Sequence, residues 1–177
     1  MGIVVAIAII IFLWLIISMS NDLERSLVKV EEALSDIDVS LTKRYDVLTK
    51  MVDVVKSYQK YEQETLCKII KLRKDMTLSE KSSVNRSMDE AFTKINALVE
   101  NYPELKASEN VKTLQLAIVD VEEHLQASRR LYNANVSNLN QKIASFPTNI
   151  IASMKWIESK EYFMAEEEKR DNVEIDL

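Results

Sequence analysis

The chain has 177 residues and a formal net charge of −5, from 23 Lys+Arg and 28 Asp+Glu, with one Gly, one Cys and one His. Its only glycine is Gly2, which leaves none for the positive-φ turns of hairpins and phosphate-cradling loops, so a Rossmann domain, a P-loop and a β-sandwich are excluded. One Cys rules out intramolecular disulfides and multi-cysteine zinc or iron–sulfur sites, one His rules out a His-rich metal centre, and basic residues interspersed with acids argue against a nucleic-acid partner.

The run from Gly2 to Met19 carries no charge and is almost entirely aliphatic. At about 1.5 Å rise per residue it reaches about 27 Å, close to the roughly 30 Å of a bilayer core. A helix with no polar side has no place on the rim of a soluble bundle, so residues 1–20 are read as a transmembrane helix, with residues 2–19 in contact with lipid. A cleaved signal peptide is the rival reading, but no Lys or Arg precedes the apolar run. A myristoylation signal also fails, because Ala6 stands where Ser or Thr is needed. Arg25 and Lys29 follow the span, so the positive-inside rule predicts an outside amino terminus and a cytoplasmic remainder.

From Leu27 onward apolar residues recur at spacings of three and four. Leu27, Val30, Leu34, Ile37, Leu41, Leu48, Met51 and Val55 form one stripe, with Arg44 as its first polar interruption and Glu62 as a later one. The cluster Lys43-Arg44-Tyr45-Asp46 is where a helix break is expected, Asp46 being suited to cap a new helix. A polar stretch around Thr77 separates this stripe from a second, with Ser79 and Glu80 offering a helix start. Val84, Met88, Ala91, Ile95, Leu98 and Tyr102 share its apolar face, and Pro103 ends it. Ser108 then caps a helix carrying Val111, Leu114, Ile118, Val121, Leu125, Ser128, Tyr132, Val136, Leu139 and Ile143, stopped at Phe146-Pro147. That run is roughly 50 Å of helix, which buries its stripe only against several neighbours. The fold class is therefore all-α: an N-terminal transmembrane helix followed by an up-and-down four-helix bundle over residues 21–147. Residues 148–177 read as a short amphipathic segment around Ile150, Ile151, Met154, Trp156 and Ile157, then Tyr162-Phe163 and an acidic tail.

Little in the chain invites catalysis. Asp120 and His124 are four apart and share a helical face, but two ligands do not make a metal site, and a solvated or salt-bridged histidine is expected. Cys67 has Lys68 beside it and no His, which argues against a reactive thiol. No catalytic residue, metal or cofactor is expected. The sequons at Asn85 and Asn135 both fall within predicted helix and are read as chance. Arg44, Asp38, Arg129 and Arg130 are the suspected structural polar positions, on or beside the stripes, and an ionisable group facing a bundle interior must find a partner. The expected pair joins Arg129 or Arg130 of the last helix to Asp36 or Asp38 of the first.

Several blocks resemble those of the LemA family, in the same order along the chain. They are Asp36-Ile-Asp-Val-Ser-Leu-Thr-Lys-Arg-Tyr-Asp46, Glu100-Asn-Tyr-Pro-Glu-Leu-Lys-Ala-Ser-Glu-Asn110, Ser128-Arg-Arg-Leu-Tyr-Asn133 and Asn140-Gln-Lys-Ile-Ala-Ser-Phe-Pro-Thr-Asn-Ile-Ile151, followed by Tyr162-Phe163. The family usually carries a proline after the Arg-Tyr-Asp block, and Thr49 stands there in this chain. The resemblance implies a bacterial, single-pass protein of the cytoplasmic membrane with its bundle inside and no established activity, and it supplies no catalytic residues. The strongest blocks fall at predicted helix ends, which marks Tyr102, Pro103, Phe146 and Pro147 as joint or surface positions. The function expected is a non-catalytic scaffold or adaptor for a protein partner at the membrane. The alternative is a membrane-surface organiser that self-associates through leftover heptad faces.

Overall fold

A computed structural model describes residues 1–58 and 76–163 of the chain. Glu62, Cys67, the later positions of the first stripe and the acidic tail lie outside the described residues. Every regular element among the described residues is helical: α1 (Gly2–Tyr58), α2 (Leu78–Asn101), α3 (Pro103–Ala107), α4 (Glu109–Ala144) and α5 (Thr148–Met154). The all-α expectation thus holds, and the apolar leading run is the first third of α1. Every side chain from Met1 to Ser18 is exposed, and that part of α1 is long and apolar enough to cross a membrane.

The break expected near Arg44 is absent. α1 is one helix of 57 residues that passes through Lys43-Arg44-Tyr45-Asp46 and Thr49. No Gly or Pro follows Gly2 in it, and the Thr49 hydroxyl folds back onto the Tyr45 carbonyl at 2.9 Å, a bond made within a continuing helix. A proline at position 49 would have no N–H for that turn, and Thr49 has one.

The other helix ends follow local chemistry. Thr77 caps α2, accepting from the Glu80 N–H at 3.2 Å while Glu80 accepts from the Thr77 N–H at 2.8 Å. This capping box starts the helix two residues before the expected Ser79. Pro103 occupies the first position of α3, where its missing N–H costs nothing. The Ser108 carbonyl receives the first bond of α4, from Lys112 N–H at 3.2 Å.

The chain divides into two units. One comprises Met1–Ser35 with Arg129–Tyr162, the other Asp36–Ser128 with Phe163. In the second unit α1, α2, α3 and α4 enclose a core of Leu48, Met51, Val55, Met88, Ile95, Val99, Leu105, Val111 and Ile118, with Phe92, Leu98, Tyr102 and Leu114 packed around it. Burying each such side chain contributes about 1.5–3 kcal/mol. In the first unit the buried residues are Leu23, Ser26, Val30 and Ala33 of α1, Tyr132, Val136 and Leu139 of α4, and Ala152 of α5. Here Val30 of the expected stripe stays inside, but its other row is displaced by one residue: Leu27 and Leu34 are only half-buried, while the small Ser26 and Ala33 are covered. An α-helix of 3.6 residues per turn drifts about 20° per heptad, enough to bring a neighbouring row of residues inward.

Candidate functional site

The densest polar constellation lies in the second unit. Arg44 sits in mid-α1 on the apolar stripe, with its side chain 3% exposed. Its guanidinium donates to Asn85 Oδ1 of α2 at 2.5 Å and to Asp89 of the same helix, and lies 3.1 Å from Glu122 Oε2 of α4. Asn85 Nδ2 in turn donates to Asp89 Oδ2 at 3.3 Å, which orients the acceptor. The Glu122 contact is an ion pair by distance alone, since that oxygen lies off the N–H direction and makes no hydrogen bond. One buried cation on α1 is thus held by groups of α2 and α4, and its two carboxylate partners, 40% and 33% exposed, keep part of their hydration. The arrangement ties the register of α1, α2 and α4 by charge-assisted bonds.

A second cross-helix pair joins Lys81 of α2 to Asp38 of α1. Lys81 Nζ lies 2.6 Å from Asp38 Oδ1 and donates to Oδ2 at 2.8 Å. The partner shown for Asp38 is thus a lysine of α2. Arg130 is exposed, Arg129 is half-buried, and Asp36 is exposed. The sequence reading missed Lys81 and Asn85, because both look like the polar side of α2. Asn85 is 2% exposed, which removes its sequon from consideration as an acceptor.

The first unit is held by side chains that bind backbone. Tyr132 donates its hydroxyl to the Glu161 carbonyl at 3.0 Å. Burial, with the nearby Glu161 carboxylate second, raises its pKa above the ordinary 10.0. Asn140 makes a two-way clasp with Lys160, each bond 2.9 Å long. Asn135 donates to the Lys29 carbonyl at 2.9 Å. Lys142 lies 2.6 Å from Asp22 and donates to Ser26 Oγ at 2.8 Å, while Lys155 pairs with Glu24 at 2.8 Å.

The suspected joint residues occupy helix ends. Tyr102 closes α2 and opens α3, and Pro103 follows as the first α3 residue. Phe146 lies between α4 and α5, 81% exposed, and Pro147 is the N-cap residue of α5. His124 is 71% exposed and lies 3.7 Å from Asp120. Among the described residues no group of three or more His, Cys, Asp or Glu is placed to hold a metal ion.

Among the described residues the class of protein is defined by helices alone, with an apolar leading helix, a buried arginine that joins α1 to α2 and α4, and prolines at the helix joints. The chain belongs to the LemA family, whose model matches residues 33–177. It is 30% identical over 169 residues to Protein LemA of Metamycoplasma hominis, a match covering 93% of this chain and 77% of that protein. A shorter stretch of 73 residues, 41% of this chain and 27% of the relative, is 30% identical to Magnetosome protein MamQ 1 of Paramagnetospirillum magneticum. Magnetosome protein MamQ of Magnetospirillum gryphiswaldense is 27% identical over 73 residues.

Proposed function

We propose that this protein is a non-catalytic helical scaffold, anchored in the bacterial cytoplasmic membrane by residues 2–19, that presents its helices to a protein partner on the cytoplasmic side. The observation that carries the reading is α1 itself, an uninterrupted helix of 57 residues whose first third is wholly exposed and apolar and whose remainder is built into packed helices. A helix of that kind joins a segment suited to lipid directly to packed helices. The polar groups gathered inside the protein, Arg44 with Asn85, Asp89 and Glu122, and Lys81 with Asp38, are occupied in tying helices together. Arg25 and Lys29 after the span support the orientation with the amino terminus outside.

Proximity labelling from a carboxy-terminal fusion in living cells, read against the first twenty residues carrying the same enzyme, tests the reading. The expected result is a set of labelled cytoplasmic proteins that the anchor alone does not label. Identical sets for the two fusions refute the scaffold role, and labelling of proteins outside the membrane refutes the orientation.

Self-association is favoured by a separate observation. Leu116 and Val119 lie three apart on α4 and are 71% and 53% exposed, a small apolar face on the second unit. Mass measured across a dilution series in detergent tests it: a constant monomer mass removes this reading.

A further inference from the structure

We propose that the corner formed by the end of α4, α5 and the turn after it, from Ser145 to Trp156, is a second membrane contact that inserts its apolar side chains into the headgroup layer beside the span. The inference rests on the anchored reading above. Phe146, Ile150, Met154 and Trp156 are 81%, 53%, 76% and 90% exposed, four large apolar side chains within eleven positions of one another. Trp156 adds a backbone argument. It has φ 56 and occupies the left-handed position after α5, where its N–H bonds the Ser153 carbonyl at 3.3 Å and Ile157 N–H bonds the Ala152 carbonyl at 3.0 Å. Glycine usually fills that position, because a Cβ is disfavoured there. A tryptophan in its place, with its ring in solvent, gains nothing inside the protein for the backbone cost. A partner outside the protein is needed.

Bonds within the first unit identify that partner as lipid. α4 runs towards the span: Asn135 is bonded at the level of Lys29, and Lys142 further on at Ser26 and Asp22. The chain then turns through α5 and leaves with Lys155 on Glu24 and Lys160 back at Asn140. The corner therefore occupies the end of the unit nearest the span. Asp22 is three residues beyond Met19, about 4.5 Å along the helix. The headgroup layer on each side of a bilayer is roughly 5–7 Å deep. Tryptophan and other amphipathic rings concentrate at that depth. Lys142 and Lys155 are neutralised by Asp22 and Glu24, so the contact is apolar and does not depend on anionic lipid.

Two single-tryptophan variants of the full chain, reconstituted in phosphatidylcholine vesicles without brominated lipid, with lipid brominated high on the acyl chain or with lipid brominated deep in it, test the proposal. In Trp14→Phe the remaining reporter is Trp156. The expected result is blue-shifted emission, loss of intensity with brominated lipid and protection from aqueous acrylamide. Red-shifted emission open to acrylamide and indifferent to bromine overturns the proposal. So does protection from both quenchers, which places protein, from this chain or a second copy, over the ring. In Trp156→Phe the reporter is Trp14 within the span. Trp14 quenched by deeply brominated lipid while Trp156 is not means that the anchor stands and only this inference falls. Trp14 escaping deep bromine means that the anchored reading and this inference fall together.

Discussion

The two units of the molecule solve the same problem differently. In the second, apolar side chains from α1 to α4 close on one another and even a buried guanidinium finds three partners within the unit. In the first, fewer side chains are covered, small residues such as Ser26 and Ala33 face inward, and the chain is fastened by bonds from Tyr132, Asn135 and Asn140 to backbone carbonyls. The same unit leaves Phe146, Met154 and Trp156 outside. A unit that satisfies itself internally needs no neighbour to explain its residues. A unit that fastens its backbone and leaves its largest apolar groups in the open is the one for which an outside contact is proposed.

This contrast is most severely tested at Arg44. Arg44→Ala leaves its surroundings without the cation that joins three helices, and a loss of about 3–5 kcal/mol is expected in urea unfolding of the detergent-solubilised chain followed by circular dichroism. Arg44→Met should lose less, because Met refills the volume and the carboxylates of Asp89 and Glu122 are exposed enough to rehydrate. Equal losses for the two variants would mean that charge and not packing volume is what Arg44 supplies.

Apolar truncation separates the units next. Ile95, fully buried in the second unit, should cost about 2–5 kcal/mol as Ile95→Ala, the penalty of lost transfer energy and a cavity. Ile150, 53% exposed in the first, should cost no more than about 0.5 kcal/mol as Ile150→Ala in the same detergent-solubilised chain. A comparable loss at both positions would erase the distinction drawn between a closed core and an open corner.

Tyr132→Phe removes one hydrogen bond to the Glu161 carbonyl, a loss of about 1 kcal/mol at neutral pH. Its pH dependence sharpens the assignment. The folded protein holds the phenolic proton more tightly than the unfolded chain, so the stability linked to it is complete below about pH 10 and declines as pH rises through the elevated folded value. Tyr132→Phe should therefore show a shallower alkaline decline than the parent chain. Parallel alkaline limbs would show that another group governs it.

One further effect has the opposite sign. Trp156→Gly relieves the left-handed backbone and should stabilise the lipid-free protein by about 1 kcal/mol, seen as a higher unfolding midpoint in urea. A loss of stability instead would show that the ring packs on the protein, and would bring the corner closer in kind to the second unit.

Much of this was legible in the chain itself. The span from Gly2 to Met19, the stops at Pro103 and Phe146-Pro147 and the stripe from Val111 to Ile143 all rest on local properties, hydropathy and period, and each falls within helices and joints where expected. The break at Arg44 did not survive, since a charged residue on a stripe reads locally as an interruption. Only the appearance of Asn85 and Asp89, 41 and 45 residues further along the chain, turns it into a clasp. Lys81 and Asn85 were hidden for the same reason: polar residues on a helix are read as solvent-facing until another helix brings them a partner.

By itself, then, the order of residues determined that the protein is helical, where its helices end and which end is oily, because those features depend on neighbours within a turn or two. Tertiary structure decided which row of each stripe is innermost and with whom each buried charge is paired. A repeat near seven residues leaves the inner face uncertain by one position, and a bond across forty residues exists only once the helices are packed.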